Sequence, residues 1–132
     1  MQVDEYDDPQ FWKSTYSHEV EKRIIETISQ GHFSLAKKIL LRSKRFMQID
    51  LNFFHTRHSI FFAVVAFNAL PFWELILDYP GLKIDSCDRR NCNAVYYAAS
   101  LRDPTILIRL LKLNLTPLCY SALFNFVQTS SV

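Results

Sequence analysis

Two stretches of this chain repeat each other at an offset of 35 residues. Ala63 to Leu77 aligns with Ala98 to Lys112. Each has small residues in a first apolar segment, then a polar break, then a second apolar segment ending in paired Leu or Ile. A weaker version lies 36 residues earlier. This period constrains the fold more than any other feature. It is the length of one helix–turn–helix unit, and such a unit has apolar stripes that only a neighbouring unit can cover.

The third unit is the clearest. Ile84-Asp85-Ser86-Cys87-Asp88 leads through Arg89-Arg90-Asn91-Cys92-Asn93 into the apolar run Ala94 to Leu101. Arg102-Asp103-Pro104 breaks that run, with Asp103 as N-cap and Pro104 at the first helical position. Ile106, Leu107, Leu110 and Leu111 then recur at helical spacing. In the middle unit Ile49 to Phe53 corresponds to Ile84 to Asp88. Ile60, Ala63 and Val64 correspond to Val95, Ala98 and Ala99, and Asn68 stands in the place of Asp103. The first unit keeps only the helices: Ile24, Thr27 and Ile28, a Gly31-His32 break, then Leu35, Ala36, Ile39 and Leu40.

The pattern resembles the ankyrin repeat family. Asp88, Ala98, Ala99, Leu110 and Leu111 match the family motif in the third unit, and Gly31-His32 matches its inter-helix Gly-His. Thr116-Pro117-Leu118, followed by Ser121-Ala122, matches the start of a further, truncated unit. The family's turn glycine is replaced by Thr56 in the middle unit and Asn91 in the third. Asn tolerates a positive φ; Thr does not. The resemblance implies an all-α fold, a short α-solenoid of stacked antiparallel helix pairs with irregular hairpin arms. The expected organisation is an acidic tail and capping segment at 1–17, then repeats at about 18–48, 49–83 and 84–115. A capping helix over 116–127 and a tail at 128–132 complete it. Phe11, Trp12 and Tyr16 are expected to cover the open end of the first unit, and Asp4, Glu5, Asp7 and Asp8 to form a solvated tail.

Composition removes several function classes. Apolar residues make up 49% of the chain and charged residues 21%, which suits a packed core. A net charge of +2 gives no electrostatic argument for nucleic acid. Gly31 and Gly81 are the only glycines, so no glycine-rich phosphate loop can be built. Cys87, Cys92 and Cys119 are odd in number, and the chain starts with acidic and polar residues. We read reduced thiols and a cytoplasmic location, with the nucleus as alternative. Ile60 to Leu77 is apolar enough to raise a membrane span, but Asn68, Pro71 and Glu74 interrupt it. No membrane association is expected.

Several side-chain sets invite chemistry. His55, His58, Cys87 and Cys92 are zinc-ligand types. The repeat offset, however, sets His55 opposite Arg90 and Arg57 opposite Cys92, in surface-variable slots. No metal or cofactor is expected. Cys92 or Cys119 with His58 lacks an orienting third group, so no enzyme is expected either. Lys37, Lys38, Arg42, Lys44 and Arg45 fit the solvated back of an amphipathic helix better than a contact patch. Among the aromatics, Phe54 falls on an arm tip. It is either an exposed contact residue or folded down onto the core.

The resemblance implies a non-catalytic module that binds a protein through arm tips and the concave faces of the first helices. Transferred position by position, the contact residues are Phe54, His55, Arg57, Val65 and Ala66 in the middle unit. In the third they are Arg89, Arg90, Cys92, Ser100 and Leu101, and in the first Ser29 and Gln30. Their charge points to an acidic segment on the partner. The alternatives are a truncated, pathogen-derived regulator competing with a host ankyrin protein, or an adaptor subunit of an assembly such as a ubiquitin ligase, with a membrane-associated protein as a minor alternative.

Overall fold

A computed structural model of the chain describes residues 5–113. These residues are mostly helical, and among them β pairing is limited to two isolated bridges. After a 3-10 turn (η1, Glu5–Asp7) come α1 (Pro9–Lys13), α2 (Ser17–Ser29) and α3 (Phe33–Ser43). An arm over 44–59 leads to α4 (Ile60–Ala66), a 3-10 turn (η2, Leu70–Phe72) and α5 (Trp73–Leu77). A second arm over 78–93 leads to α6 (Ala94–Ala99) and α7 (Thr105–Leu111).

Local chemistry explains where the helices stop and start. Gly31 (φ 80) ends α2 with a paired closure, Gly31 N–H to Ile28 O at 2.9 Å and His32 N–H to Thr27 O at 3.1 Å. Asn68 (φ 52) does the same for α4, with the Ala69 N–H on Val64 O at 2.8 Å. Asn68 is therefore a helix stop, not the counterpart of the helix-starting Asp103. Asp103 itself accepts from the Thr105 N–H and hydroxyl at 3.0 and 2.6 Å, while Pro104 sits at the cap position instead of the first turn. Ser59 caps α4 through the Phe62 N–H (3.2 Å), and Asn93 caps α6 through the Tyr96 N–H (3.0 Å).

The helices pack in series. α2 lies against α3 and α4, α4 against α6, and α6 against α7. In the other row α3 meets η2, and Arg109 of α7 pairs with Glu74 of α5 at 2.8 Å. Small residues mark the close approaches: Ala36, Ala63 and Ala98 are fully buried. The middle unit fills the centre with Phe61, Phe62, Phe72 and Trp73. Its helix α4 is enclosed between α2 and α6, so Ile60 to Val65 are buried almost without break. Val65, placed by the family register on a contact surface, is therefore core.

The spacing of the later units also shifts. The turn residues Thr56 and Asn91 keep the 35-residue offset. The caps Ser59 and Asn93 are one residue closer, as are the buried pairs Trp73/Leu107 and Ile76/Leu110. Leu111, matched in sequence to Ile76, lies exposed.

The N-terminal segment is packed against the first unit. Tyr6 and Trp12 are buried, the Trp12 indole donates to Tyr6 O at 2.9 Å, and its ring stacks on Phe46. Asp7 pairs with Arg42 (2.6 Å) and Glu5 with Arg23 (3.1 Å), so these two acids are exposed, as expected of a solvated segment, but ion-paired to α3 and α2. Tyr16 is 78% exposed and covers nothing. Among the described residues no helix is long and apolar enough to cross a membrane, and Ile60 to Leu77 is split at Asn68. The capping helix expected over 116–127, and Cys119 with it, lie outside the described residues.

Candidate partner-binding groove

Each arm ends in a tight tip. In the first, His55 and His58 form a bridge, the His55 N–H donating to His58 O at 2.9 Å, with Thr56 at φ 64. A β-branched residue in the left-handed region costs about 1–2 kcal/mol. The second is bridged between Cys87 and Asn93, and Asn91 takes the left-handed turn at φ 62. The replaced turn glycines thus hold the conformation that glycine serves best. At their bases the arms are tied together by Asn52. Its amide donates to Gly81 O at 2.7 Å and its carbonyl accepts from the Lys83 N–H at 2.8 Å.

Between the tips runs a groove of about 590 Å³. Phe54, Thr56, Arg57 and His58 line it from the first arm; Asp88, Arg89, Arg90 and Tyr97 line it from the second arm and α6. Asp88 organises the second wall. Its Oδ1 accepts from the Arg90 and Cys92 amides at 2.9 Å each, and its Oδ2 accepts from the Tyr97 hydroxyl. Arg90 donates to that same hydroxyl at 3.0 Å. Burial works to raise the Asp88 pKa, but the Tyr97 hydroxyl and the Cys92 and Arg90 amides outweigh it and hold the carboxyl below its ordinary value. Burial, reinforced by Asp88, pushes the Tyr97 phenol up.

His58 packs among rings, 5.6 Å from Phe67 and 6.5 Å from Tyr97 between centroids. Burial and then the Arg57 charge lower its pKa, against a smaller upward pull from Asp88, so the neutral imidazole is favoured. The groove's charge is therefore three guanidinium groups against one carboxylate, with Arg90 already engaged. Arg57 and Arg89 are exposed and free to meet a ligand.

Of the residues singled out from the sequence, Phe54, Arg57, Arg89 and Arg90 share this groove. Phe54 is folded down, partly buried edge-on against Phe62 at 4.9 Å. Ser29, the last residue of α2, and the turn residues Gln30 and Ser100 are exposed, while Ala66, Leu101 and Cys92 are half-buried. The Cys92 Sγ approaches Arg90 O at 3.8 Å, and burial, then Asp88, push both the Cys87 and the Cys92 thiols up, away from the reactive thiolate. The set His55, His58, Cys87 and Cys92 does not converge. His58 turns to aromatic rings and His55 to Glu21.

Glu21, His18 and Tyr97 are the residues that the repeat register missed. Glu21 is 1% exposed on the apolar stripe of α2 with Val20, Ile24, Ile25 and Ile28. Its Oε2 accepts from the Asp50 N–H at 2.8 Å, fastening the first arm to α2. Its Oε1 accepts from His18 Nδ1 at 2.7 Å and His55 Nε2 at 3.0 Å. Its place three residues before Ile24 puts Glu21 on the apolar stripe, but the groups that meet its charge come together only in the fold.

No family model, no curated protein and no solved structure matches this chain.

Proposed function

We propose that this chain is a non-catalytic, ankyrin-like recognition module whose inter-arm groove takes an extended acidic segment of a protein partner. The observation that carries the reading is the pair of exposed guanidinium groups, Arg57 and Arg89, on opposite walls of one groove, on arms tied to each other and, in the second, within itself by hydrogen bonds. The ankyrin-like part is supported by helix pairs packed in series and by a left-handed residue at each arm tip. Guanidinium groups recognise carboxylates through paired N–H donors, which suits Asp or Glu on the guest. Phe54, Tyr97 and His58 give the floor an aromatic lining for the guest's backbone and apolar side chains. The raised thiol pKa values support a binding role over thiol catalysis.

Selection from a random peptide display library tests this. Enriched peptides should be rich in Asp and Glu, and their binding should weaken with added salt. The Arg57→Glu/Arg89→Glu double variant should lose at least about tenfold in affinity for them. Enrichment without acidic bias, or binding unchanged by the double variant, overturns the reading.

A further inference from the structure

We infer that His18, Glu21 and His55 form a binding site for a divalent transition-metal ion, of which Zn²⁺ is the simplest candidate. The inference stands apart from the proposed groove function, because it rests on a different cluster on the far side of the first arm.

Three ligand types of the right chemistry converge there. One ligating atom from each of His18, Glu21 and His55 lies within 4.8 Å of the other two, and no other such group occurs among the described residues. Both imidazoles aim at the same carboxylate oxygen, Glu21 Oε1, at 2.7 and 3.0 Å. Tetrahedral zinc with N and O ligands at 2.0–2.2 Å sets its ligand atoms about 3.3 Å apart. Each imidazole nitrogen has to draw back from Glu21 Oε1 by about half an ångström or less to reach that spacing. Two imidazoles and one carboxylate, leaving a fourth position, suit a borderline metal such as zinc better than calcium or magnesium.

The surroundings orient the ligands. Glu21 is 1% exposed, and its second oxygen is fixed by the Asp50 N–H at 2.8 Å. Such an outer hydrogen bond holds a ligating carboxylate in place. The His55 side chain is 13% exposed, whereas that of His18 is 58% exposed at the rim. Phe53 stacks on the His18 ring with centroids 4.0 Å apart and 22° between planes, which limits its rotation. The cluster is open to solvent on the His18 side, which gives an ion its way in. On binding, each imidazole shifts its proton to the far nitrogen or releases it, and the metal takes the place of the two N–H···O contacts.

A carboxylate on a core stripe is costly unless its charge is met. A dication meets it fully, and it also joins α2 to the first arm at His55. The same hairpin carries Arg57 and His58 to the groove, so metal loading stiffens one groove wall.

The test is titration of tag-free, reduced, metal-stripped protein with ZnCl₂ by calorimetry, and with CoCl₂ by visible absorption. Expected are one saturable ion per chain, a raised melting temperature with Zn²⁺, and weaker binding as pH falls and protons compete for the imidazoles. His18→Ala, whose side chain is largely solvated, should reduce affinity at least about tenfold, as should His55→Ala. His32→Ala and the Cys87→Ser/Cys92→Ser double variant should leave it unchanged. Absence of saturable binding, binding that survives both His18→Ala and His55→Ala, or binding lost with the cysteines overturns the inference. Loss of the groove's peptide binding alone would leave it standing.

Discussion

The two arms reach the same shape by different means. The second is held from within: Asp88 gathers the Arg90 and Cys92 amides and the Tyr97 hydroxyl, all within its own unit. The first is held from outside: Glu21, on a helix of the preceding unit, secures the Asp50 amide and His55. Within the first arm Asp50 holds only the Asn52 N–H at 2.9 Å, and the carboxylate that reaches the tip residue His55 comes from α2. The first arm's geometry therefore depends on the packing of α2 against α4. In a stacked fold, local motifs and neighbour contacts can substitute for each other in ordering the same loop.

The largest expected effect is on the borrowed anchor. Glu21→Ala leaves the Asp50 N–H without its acceptor and frees both histidines, and should cost about 2–3 kcal/mol in urea denaturation. It should also raise amide exchange across 50–58 more than across 85–93. Equal exchange in the two arms would break the comparison. Asp88→Ala should cost less, about 1–2 kcal/mol, with the exchange confined to the second arm. Smaller still, Thr56→Gly should stabilise the protein by up to about 1 kcal/mol by releasing backbone strain, whereas Asn91→Gly should change little. A stabilisation at Asn91 equal to that at Thr56 would show that both tips are strained alike.

The smallest effect is on pH dependence. His58 and Asp88 both have lowered pKa values in the folded chain. As pH falls, the unfolded chain takes up each proton first. The stability from neutral His58 is complete above the unfolded imidazole value of about 6.5 and is lost as pH falls through the lower folded value. The Asp88 contribution is lost in the same direction, further into the acid range. Denaturation midpoints measured from pH 7 downward should fall in two stages. His58→Gln should flatten the first stage, and Asp88→Asn the second.

The helix positions were legible because apolar residues at helical spacing state them directly, as in Ile24/Ile28 and Ile106/Leu110. The arm tips were legible too, since Thr56 and Asn91 stand where a left-handed residue is needed. The groove was half legible. Arg57, Arg89 and Arg90 followed from the family resemblance transferred position by position, but Tyr97 did not, because its role depends on Asp88 reaching across nine positions. Val65 misled for a related reason. A family register assumes a helix with one open face, whereas α4 is short and enclosed on several sides. Glu21 was hidden because a lone acid on a helix is usually solvated. Only the fold brings Asp50 and His55 to it, from 29 and 34 positions away.

Asn52 has one more consequence. With one bond to Gly81 and another to Lys83, a single carboxamide sets the gauge between the hairpins. Prying them apart breaks both bonds together, so the slot resists widening. On the proposed reading, a slot gauged in this way favours a slim extended guest over a helix.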